Sequence, residues 1–100
     1  MQFMNKRIIK KEISKRPDIF DKYGVKRLAL FGSFARGEAK AASDIDFLVE
    51  FKRSTFDNYM GLLRELQGMF HKDIDLVTKA ALNRHLKPFV LKEAEYFEVG

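Results

Sequence analysis

The sequence contains no cysteine and only two prolines. A chain without cysteine forms neither disulfides nor thiolate metal sites, and one with so little proline has no proline-rich linker. Long hydrophobic runs are missing too, since no apolar stretch reaches the ~20 residues that span a bilayer. The opening segment MQFMNKRIIKKEI lacks the uninterrupted apolar centre of a secretory signal peptide. These absences predict a cytoplasmic protein that does not contact a membrane.

Composition predicts a single domain over residues 1–100. Hydrophobic residues make up 46% of the chain, which is enough to fill one core. The formal net charge is +5, and basic residues concentrate in the first 27 positions. A solvated surface is the simplest explanation of this charge. Attraction to nucleic acid, to nucleotide phosphates or to an acidic protein partner are the alternatives.

Hydrophobic periodicity predicts an alternation of helices and strands. Helical spacing covers 4–15 and 56–70, and Pro17 and Pro88 favour two further helices that begin near them. Strands are predicted at 27–31, 45–51 and 73–77, with a short last strand at 96–99.

This order of elements predicts an α/β (α+β) fold with a small mixed β-sheet flanked by helices. The segment between the first two strands contains little helix, which suits an antiparallel pair. A full helix connects the second strand to the third, which suits a parallel crossover.

Two acids, Asp44 and Asp46, open the second predicted strand. Because alternate residues of a strand face the same side, their carboxylates project together, roughly 7 Å apart at the backbone. Two like charges held this close raise each other's pKa unless a cation neutralises them. Oxygen-only ligands favour magnesium or manganese, and magnesium adds substrate phosphates. The pair therefore predicts a divalent metal site.

The third predicted strand, DIDLV, supplies a third acid. Asp75 lies inside the strand, where a carboxylate is costly to bury without a partner, and a neighbouring strand would bring it to the same site. Asp73 faces the same side and competes for this role, but its position at the start of the strand also suits a solvated turn. We favour Asp75. Three carboxylates around two cations are typical of metal-assisted phosphoryl or nucleotidyl transfer.

A Gly32-Ser33 turn follows the first predicted strand. Glycine lets the backbone approach a ligand closely, and Ser33 offers a hydroxyl and an amide at the start of a short helix, where anions bind. Arg36 lies near enough to neutralise phosphate charge, and it could equally pair with Glu38. An ordinary P-loop is excluded, because Glu38 stands where that loop requires lysine.

The pattern of Gly32-Ser33, ten further residues and Asp44-Ile45-Asp46 resembles the signature of the DNA polymerase beta-like nucleotidyltransferase superfamily. More narrowly, FGSFARGEAKAASDIDFLVEF followed by DIDLVT is similar to the minimal nucleotidyltransferase (MNT) family, over roughly residues 4–97. The resemblance implies a nucleotidyltransferase fold, ATP as the substrate and two Mg²⁺ ions as cofactors.

By this resemblance, Gly32 and Ser33 bind the nucleotide phosphates. Asp44 and Asp46 ligate magnesium, and Asp75 ligates magnesium and helps to activate the acceptor oxygen. Members of the family are often antitoxins paired with a HEPN-domain toxin, a helical ribonuclease, and some transfer AMP from ATP to a tyrosine of that toxin. The resemblance thus implies a magnesium-dependent protein adenylyltransferase that acts as an antitoxin.

Two other functions compete with this interpretation. A non-catalytic antitoxin would neutralise its toxin by direct binding alone. A basic nucleic-acid-binding module ranks lowest, because nothing in it explains three acids on apolar strands, and we expect no direct nucleic-acid binding.

Overall fold

Five α-helices and four β-strands make up the part of the chain that the computed structural model describes, residues 4–97. The helices are α1 (Lys6–Ser14), α2 (Asp18–Lys22), α3 (Gly32–Arg36), α4 (Phe56–Phe70) and α5 (Lys87–Glu93), with a 3₁₀ turn at Lys79–Ala81. The strands are β1 (Val25–Phe31), β2 (Ile45–Phe51), β3 (Ile74–Thr78) and β4 (Glu95–Tyr96). Between residues 4 and 97, no helix combines the length and the apolar character that crossing a membrane requires.

Side-chain caps define where the two longest helices begin. Asn5 accepts a hydrogen bond from the Ile8 amide at 3.0 Å before α1, and Thr55 accepts one from the Asn58 amide at 3.1 Å before α4. Each cap satisfies an amide that has no partner inside its helix. At the other end, α4 stops at His71, whose φ of 52° cannot continue a right-handed helix.

The four strands form one mixed sheet in the order β3-β2-β1-β4. Strand β1 runs antiparallel to both β2 and β4, whereas β2 and β3 run parallel and are connected through α4. The predicted fold class and both predicted strand directions are therefore confirmed. The topology places the end of β1 and the beginnings of β2 and β3 at the same edge of the sheet.

The hydrophobic core lies between one face of this sheet and the helices. Alternate residues of β2 supply fully buried side chains to it, and α1 and α4 supply more from the opposite side. These core residues are Ile45, Phe47 and Val49 of β2, Ile9 and Ile13 of α1, and Leu62 and Leu66 of α4. The ring of Phe47 stacks on Phe70 with centroids 6.0 Å apart and lies 5.9 Å from the ring of Phe97. Burying a side chain of this size contributes roughly 1.5–3 kcal/mol.

Strand β1 begins earlier than the prediction of 27–31. Its pairing with β2 contains an irregularity between Val25 and Arg27. This irregularity lets the strand continue across two consecutive basic residues that interrupt the apolar run. Helix α1 covers Lys6–Ser14 rather than 4–15, because the Asn5 cap sets its first turn.

Strand β3 is displaced by one residue from the predicted 73–77. Asp73 lies outside the strand, although its carbonyl accepts a hydrogen bond from the Ile45 amide at 3.1 Å. The predicted last strand at 96–99 is Glu95–Tyr96 in the structure, paired with Ala29 and Leu30 of β1. Residues 98 and 99 of that prediction lie outside the described residues.

Candidate active site

Three strand ends bring the predicted acids together at one edge of the sheet. Phe31, the last residue of β1, lies opposite Asp46, and Asp46 lies beside Asp75 of β3. Since paired residues of neighbouring strands project to the same face, the carboxylates of Asp46 and Asp75 lie side by side. Asp44 immediately precedes β2, and its charge also acts on Asp46.

The pKa of Asp46 reflects both its burial and the acids beside it. Burial, and to a lesser extent repulsion from Asp75 and Asp44, together raise the pKa of Asp46 from 3.8 to about 6. The Arg36 guanidinium acts in the opposite direction, so a positive charge lies within reach of the acids. Asp44 and Asp75 are exposed. A half-buried acid with exposed acidic neighbours is an arrangement that a bound cation would stabilise.

Gly32 brings the turn between β1 and α3 against the acids. Its φ of +75° is left-handed, and a Cβ atom built on its backbone would lie 2.9 Å from the Cγ atom of Asp46. Only glycine can adopt this φ and leave room for the Asp46 carboxylate without strain. Ser33 follows directly within α3, so the predicted phosphate-binding turn lies next to Asp46.

The segment that carries Asp44 to this edge is held by several hydrogen bonds. Lys72 donates to the carbonyls of Ala41 at 2.8 Å and Ser43 at 3.1 Å. The Ser43 hydroxyl accepts a hydrogen bond from the Lys40 amide at 2.8 Å. Lys72, which lies at the approach to β3, thus ties the loop before β2 to the neighbouring strand. These contacts fix the position from which Asp44 joins the site.

Glu93, the last residue of α5, is a site residue that the sequence alone did not indicate. Its Oε1 atom accepts a hydrogen bond from the Gly32 amide at 3.1 Å. Its two carboxylate oxygens also accept from Nη1 of Arg36, at 3.3 Å and 3.0 Å. A single glutamate at the end of a helix belongs to no recognisable motif, and only the packing of α5 against α3 reveals its role.

Arg36 forms the ion pair with Glu38 that the sequence left open, and it forms a second one with Glu93. Its Nε atom donates to Glu38 at 3.3 Å, while Nη1 is taken by Glu93. The hydrogen bond to Glu93, and to a lesser extent the one to Glu38, raises the pKa of Arg36. Arg36 therefore carries a permanent positive charge beside the acids.

The acidic donor set fits a hard divalent cation, although it is not a closed metal site. Over residues 4–97, no group of three or more histidine, cysteine or acidic side chains stands close enough to hold a metal ion unaided. Magnesium suits such an open set, because it binds through one or two carboxylates and completes its shell with water and substrate phosphates. The raised pKa of Asp46 is consistent with carboxylates that would gain from this neutralisation.

The nucleotidyltransferase domain family matches the chain over residues 6–97. This span includes the three acids, the Gly32-Ser33 turn, Arg36 and Glu93. The chain belongs to the nucleotidyltransferase domain family. The family predicted from the motif is therefore confirmed.

Curated relatives of this nucleotidyltransferase are named for protein adenylylation. A candidate protein adenylyltransferase of Methanocaldococcus jannaschii is 42% identical over 78 residues, covering 75% of each chain. The protein adenylyltransferase MntA of Thermococcus cleftensis is 33% identical over 82 residues, covering 81% of this chain and 83% of its own.

Solved structures share the fold of this nucleotidyltransferase. A candidate minimal nucleotidyltransferase superimposes with a TM-score of 0.81 at 30% identity, covering 95% of this chain and 98% of its own. An MNT antitoxin in complex with a tri-AMPylated HEPN toxin, from Shewanella oneidensis, has a TM-score of 0.62 at 19% identity. That second match covers 90% of this chain and 69% of the other, and at this identity it establishes the fold alone.

The structure places the sequence-predicted residues of this nucleotidyltransferase in one site. Asp46 and Asp75 are neighbours, Asp44 acts on Asp46, and Gly32 contacts Asp46 directly. Asp73, the competing third acid, lies outside β3 and is exposed. The metal-binding and phosphate-binding roles of these residues remain predictions.

Proposed function

We propose that this nucleotidyltransferase transfers AMP from ATP to a tyrosine of a HEPN-domain toxin and so acts as an antitoxin in the cytoplasm. Two kinds of likeness support the proposal. Relatives at 33% and 42% identity are named as protein adenylyltransferases. The same fold occurs in an MNT antitoxin bound to a HEPN toxin that carries three AMP groups.

One observation carries the proposal: acids suited to a cation and a turn suited to phosphate lie at the same edge of the sheet. Asp46 and Asp75 lie in register on parallel strands, with Asp44 acting on Asp46. Gly32 places the glycine-serine turn directly against the carboxylate of Asp46. Acids that favour a cation therefore lie beside a turn that favours phosphate, which is what a nucleoside triphosphate with its metal requires.

Asp44, Asp46 and Asp75 would hold two magnesium ions together with the triphosphate. Bound there, magnesium would neutralise the phosphates and stabilise the charge that develops on the leaving group. Ser33 would donate to phosphate oxygens, and Arg36 would add a fixed positive charge. The exposure of Asp75 leaves its carboxylate accessible to an incoming acceptor side chain.

The reaction joins the tyrosine oxygen to the α-phosphorus of ATP. A new O–Pα bond forms, and the bond between Pα and the oxygen bridging to the β-phosphate breaks. The electron pair of that broken bond leaves with pyrophosphate. The phenolic proton passes to the carboxylate of Asp75, which acts as the general base. The products are an AMP-tyrosine ester and pyrophosphate.

Transfer of radiolabel from [α-³²P]ATP to a HEPN toxin, in the presence of Mg²⁺, tests the proposal. Asp44→Asn/Asp46→Asn should abolish labelling. Asp75→Asn should reduce it by at least about a hundredfold, which is typical of losing a group that acts in the transition state. Asp73→Asn is the matched control, since Asp73 lies two residues away on the same strand approach, and it should label normally. Labelling by the double variant at the wild-type rate would overturn the proposal.

Direct binding without catalysis is the second candidate function, and one surface feature favours it. Leu86, just before α5, and Phe89, in its first turn, expose 58% and 71% of their surface, which suits an apolar contact with a partner. Under this alternative, the Asp44→Asn/Asp46→Asn variant would still protect cells that express the toxin. Leu86→Ser/Phe89→Ser would instead lose protection.

A further inference from the structure

We propose that Glu93 is a positioning residue for nucleotide binding, which anchors the glycine-serine turn and aims Arg36 at the phosphates. This inference rests on the proposed function, because it assigns a role in the same triphosphate site. It starts from a contact that no sequence motif indicates. The carboxylate of Glu93 accepts hydrogen bonds from both the Gly32 amide and the Arg36 guanidinium.

The Gly32 amide is already committed to Glu93. An N–H group donates well to one acceptor at a time, and the 3.1 Å bond to Oε1 of Glu93 occupies it. We therefore assign the phosphate contacts to Ser33 and Arg36, and we assign to Gly32 the role of placing them. Gly32 is buried and has a left-handed φ, so its conformation determines where the Ser33 side chain lies.

Arg36 is held on two of its donor groups. Nη1 lies against both oxygens of Glu93, and Nε faces Glu38, which leaves the Nη2 edge of the guanidinium to a ligand. The charge of Arg36 acts on Asp46, so the guanidinium stands near the acids while 46% of its side chain stays exposed to a ligand. A guanidinium fixed on two sides presents its remaining edge in one orientation, which reduces the entropy lost when a phosphate binds.

The two carboxylates on Arg36 are not equivalent. Glu38 lies two residues away in sequence and 63% of its side chain is exposed, whereas the side chain of Glu93 is 26% exposed and bridges α5 to α3. Only Glu93 also reaches the Gly32 amide. Removing Glu93 therefore releases the turn and the Nη1 side of the guanidinium together, while removing Glu38 frees only Nε of Arg36 and leaves the turn in place.

The test compares Glu93→Ala, Glu93→Gln and the matched control Glu38→Gln with the wild type. The probe is α,β-methylene-ATP with Mg²⁺, whose bridging bond cannot break, and binding is measured by calorimetry. Glu93→Ala should weaken binding about tenfold, since two charge-assisted contacts are lost. Glu93→Gln should weaken it about threefold, because its amide oxygen still accepts from the Gly32 amide but the charge on Arg36 is no longer paired there. Glu38→Gln should bind within about twofold of the wild type.

Steady-state kinetics separate positioning from a purely structural role. A positioning role raises the KM for ATP, most in Glu93→Ala and less in Glu93→Gln, and leaves kcat at saturating ATP within about threefold. A loss of folded enzyme lowers kcat at unchanged KM, and that result would overturn the proposal. If Glu93→Ala does not fold, the comparison of Glu93→Gln with Glu38→Gln carries the test, with thermal unfolding midpoints confirming that both are folded.

Each failure has its own signature. Wild-type protein that fails to bind nucleotide or to transfer AMP contradicts the proposed function. Wild-type protein that binds nucleotide while both Glu93 variants bind equally well, or more tightly, contradicts only the role of Glu93. Tighter binding would identify Glu93 as a carboxylate that competes with the phosphates. Equal weakening by Glu38→Gln and Glu93→Ala would also overturn the role proposed here.

Discussion

Gly32 leaves no room for a side chain against Asp46. A Cβ atom built at Gly32 would lie 2.9 Å from Cγ of Asp46 and still closer to its Oδ2 atom. The Asp46 carboxylate therefore lies directly against the backbone of the glycine-serine turn, and no side chain fits between them. This single contact joins the acidic half of the site to its phosphate-binding half.

Gly32→Ala should disrupt both the fold and the site. The added methyl group meets Asp46 and requires alanine to adopt a φ of +75°, which together should cost about 3 kcal/mol of unfolding free energy. AMP transfer should fall below detection, because the turn must move away from the acids. Urea unfolding and the labelling assay measure the two effects.

Gly37→Ala is the matched control for that variant. Gly37 has nearly the same φ, +74°, but nothing lies within 4 Å of the position that a methyl group would take there. Only backbone strain remains, so the expected cost is about 1 kcal/mol with AMP transfer retained. Equal losses in the two variants would show that backbone conformation, rather than contact with Asp46, makes glycine necessary at position 32.

Asp46→Asn should stabilise the metal-free protein while abolishing transfer. At neutral pH the ionised Asp46 is half-buried beside Asp75 and Asp44, and its pKa is raised to about 6. Removing the charge should add about 1 kcal/mol to the unfolding free energy at pH 7. This is less than the pKa rise alone implies, because solvent screens a partly exposed group.

Added Mg²⁺ should stabilise the wild type more than Asp46→Asn. Wild-type protein should gain thermal stability as Mg²⁺ is added, since a cation that binds only the folded state stabilises it. The variant should gain much less, because one of the predicted ligands has lost its charge. Scanning fluorimetry with and without Mg²⁺ measures this difference. A variant less stable than the wild type without metal would contradict the view that the acids repel one another.

The acids were predictable from sequence because their spacing has a direct geometric meaning. Asp44 and Asp46 are two residues apart before an apolar strand, and a parallel crossover brings Asp75 into register with Asp46. The first fact follows from the period of a strand, and the second from the parallel crossover that makes β2 and β3 neighbours. The preference for Asp75 over Asp73 followed from their places along the third strand, and only Asp75 lies within β3.

Glu93 and the start of β1 were not predictable in this way. Glu93 reaches Gly32 across 61 residues of sequence, and the contact depends on how α5 packs on α3. The start of β1 at Val25 depends on an irregularity in strand pairing, which a run of hydrophobic letters does not reveal. Local patterns predict elements and motif residues, whereas such contacts arise only after the elements pack.

Gly61→Ala and Gly68→Ala should have opposite effects on stability, although both lie in α4. A methyl group at Gly61 would lie 2.6 Å from Cδ1 of Tyr23, whose hydroxyl donates to Glu65 at 3.0 Å. We expect Gly61→Ala to cost about 2 kcal/mol through this clash. Gly68 has nothing within 4 Å, so alanine there should add up to about 1 kcal/mol through helix propensity. Chemical denaturation measures both, and stabilisation by Gly61→Ala would contradict the close packing of Tyr23.

Glu95→Gln should lower stability at neutral pH but not in acid. Glu95 pairs with Lys6 at 2.7 Å and Lys10 at 2.8 Å, which connects α1 to β4. Lys10 and then Lys6 lower the pKa of Glu95 below its usual 4.5. A lowered folded-state pKa gives stability that is fully present above the unfolded-state pKa and is lost as the pH falls through the folded-state pKa.

The expected loss for Glu95→Gln at pH 7 is about 0.5 kcal/mol, since exposed ion pairs contribute little and solvent screens this one. Urea unfolding at pH 7 and at pH 3 measures it, and the two proteins should converge at the lower pH. Glu12→Gln is the control, because Glu12 pairs with Lys15 within one helical turn at 3.4 Å and connects no two elements. A difference between wild type and Glu95→Gln that grows in acid would show that Glu95 stabilises the fold through its packing rather than through its charge.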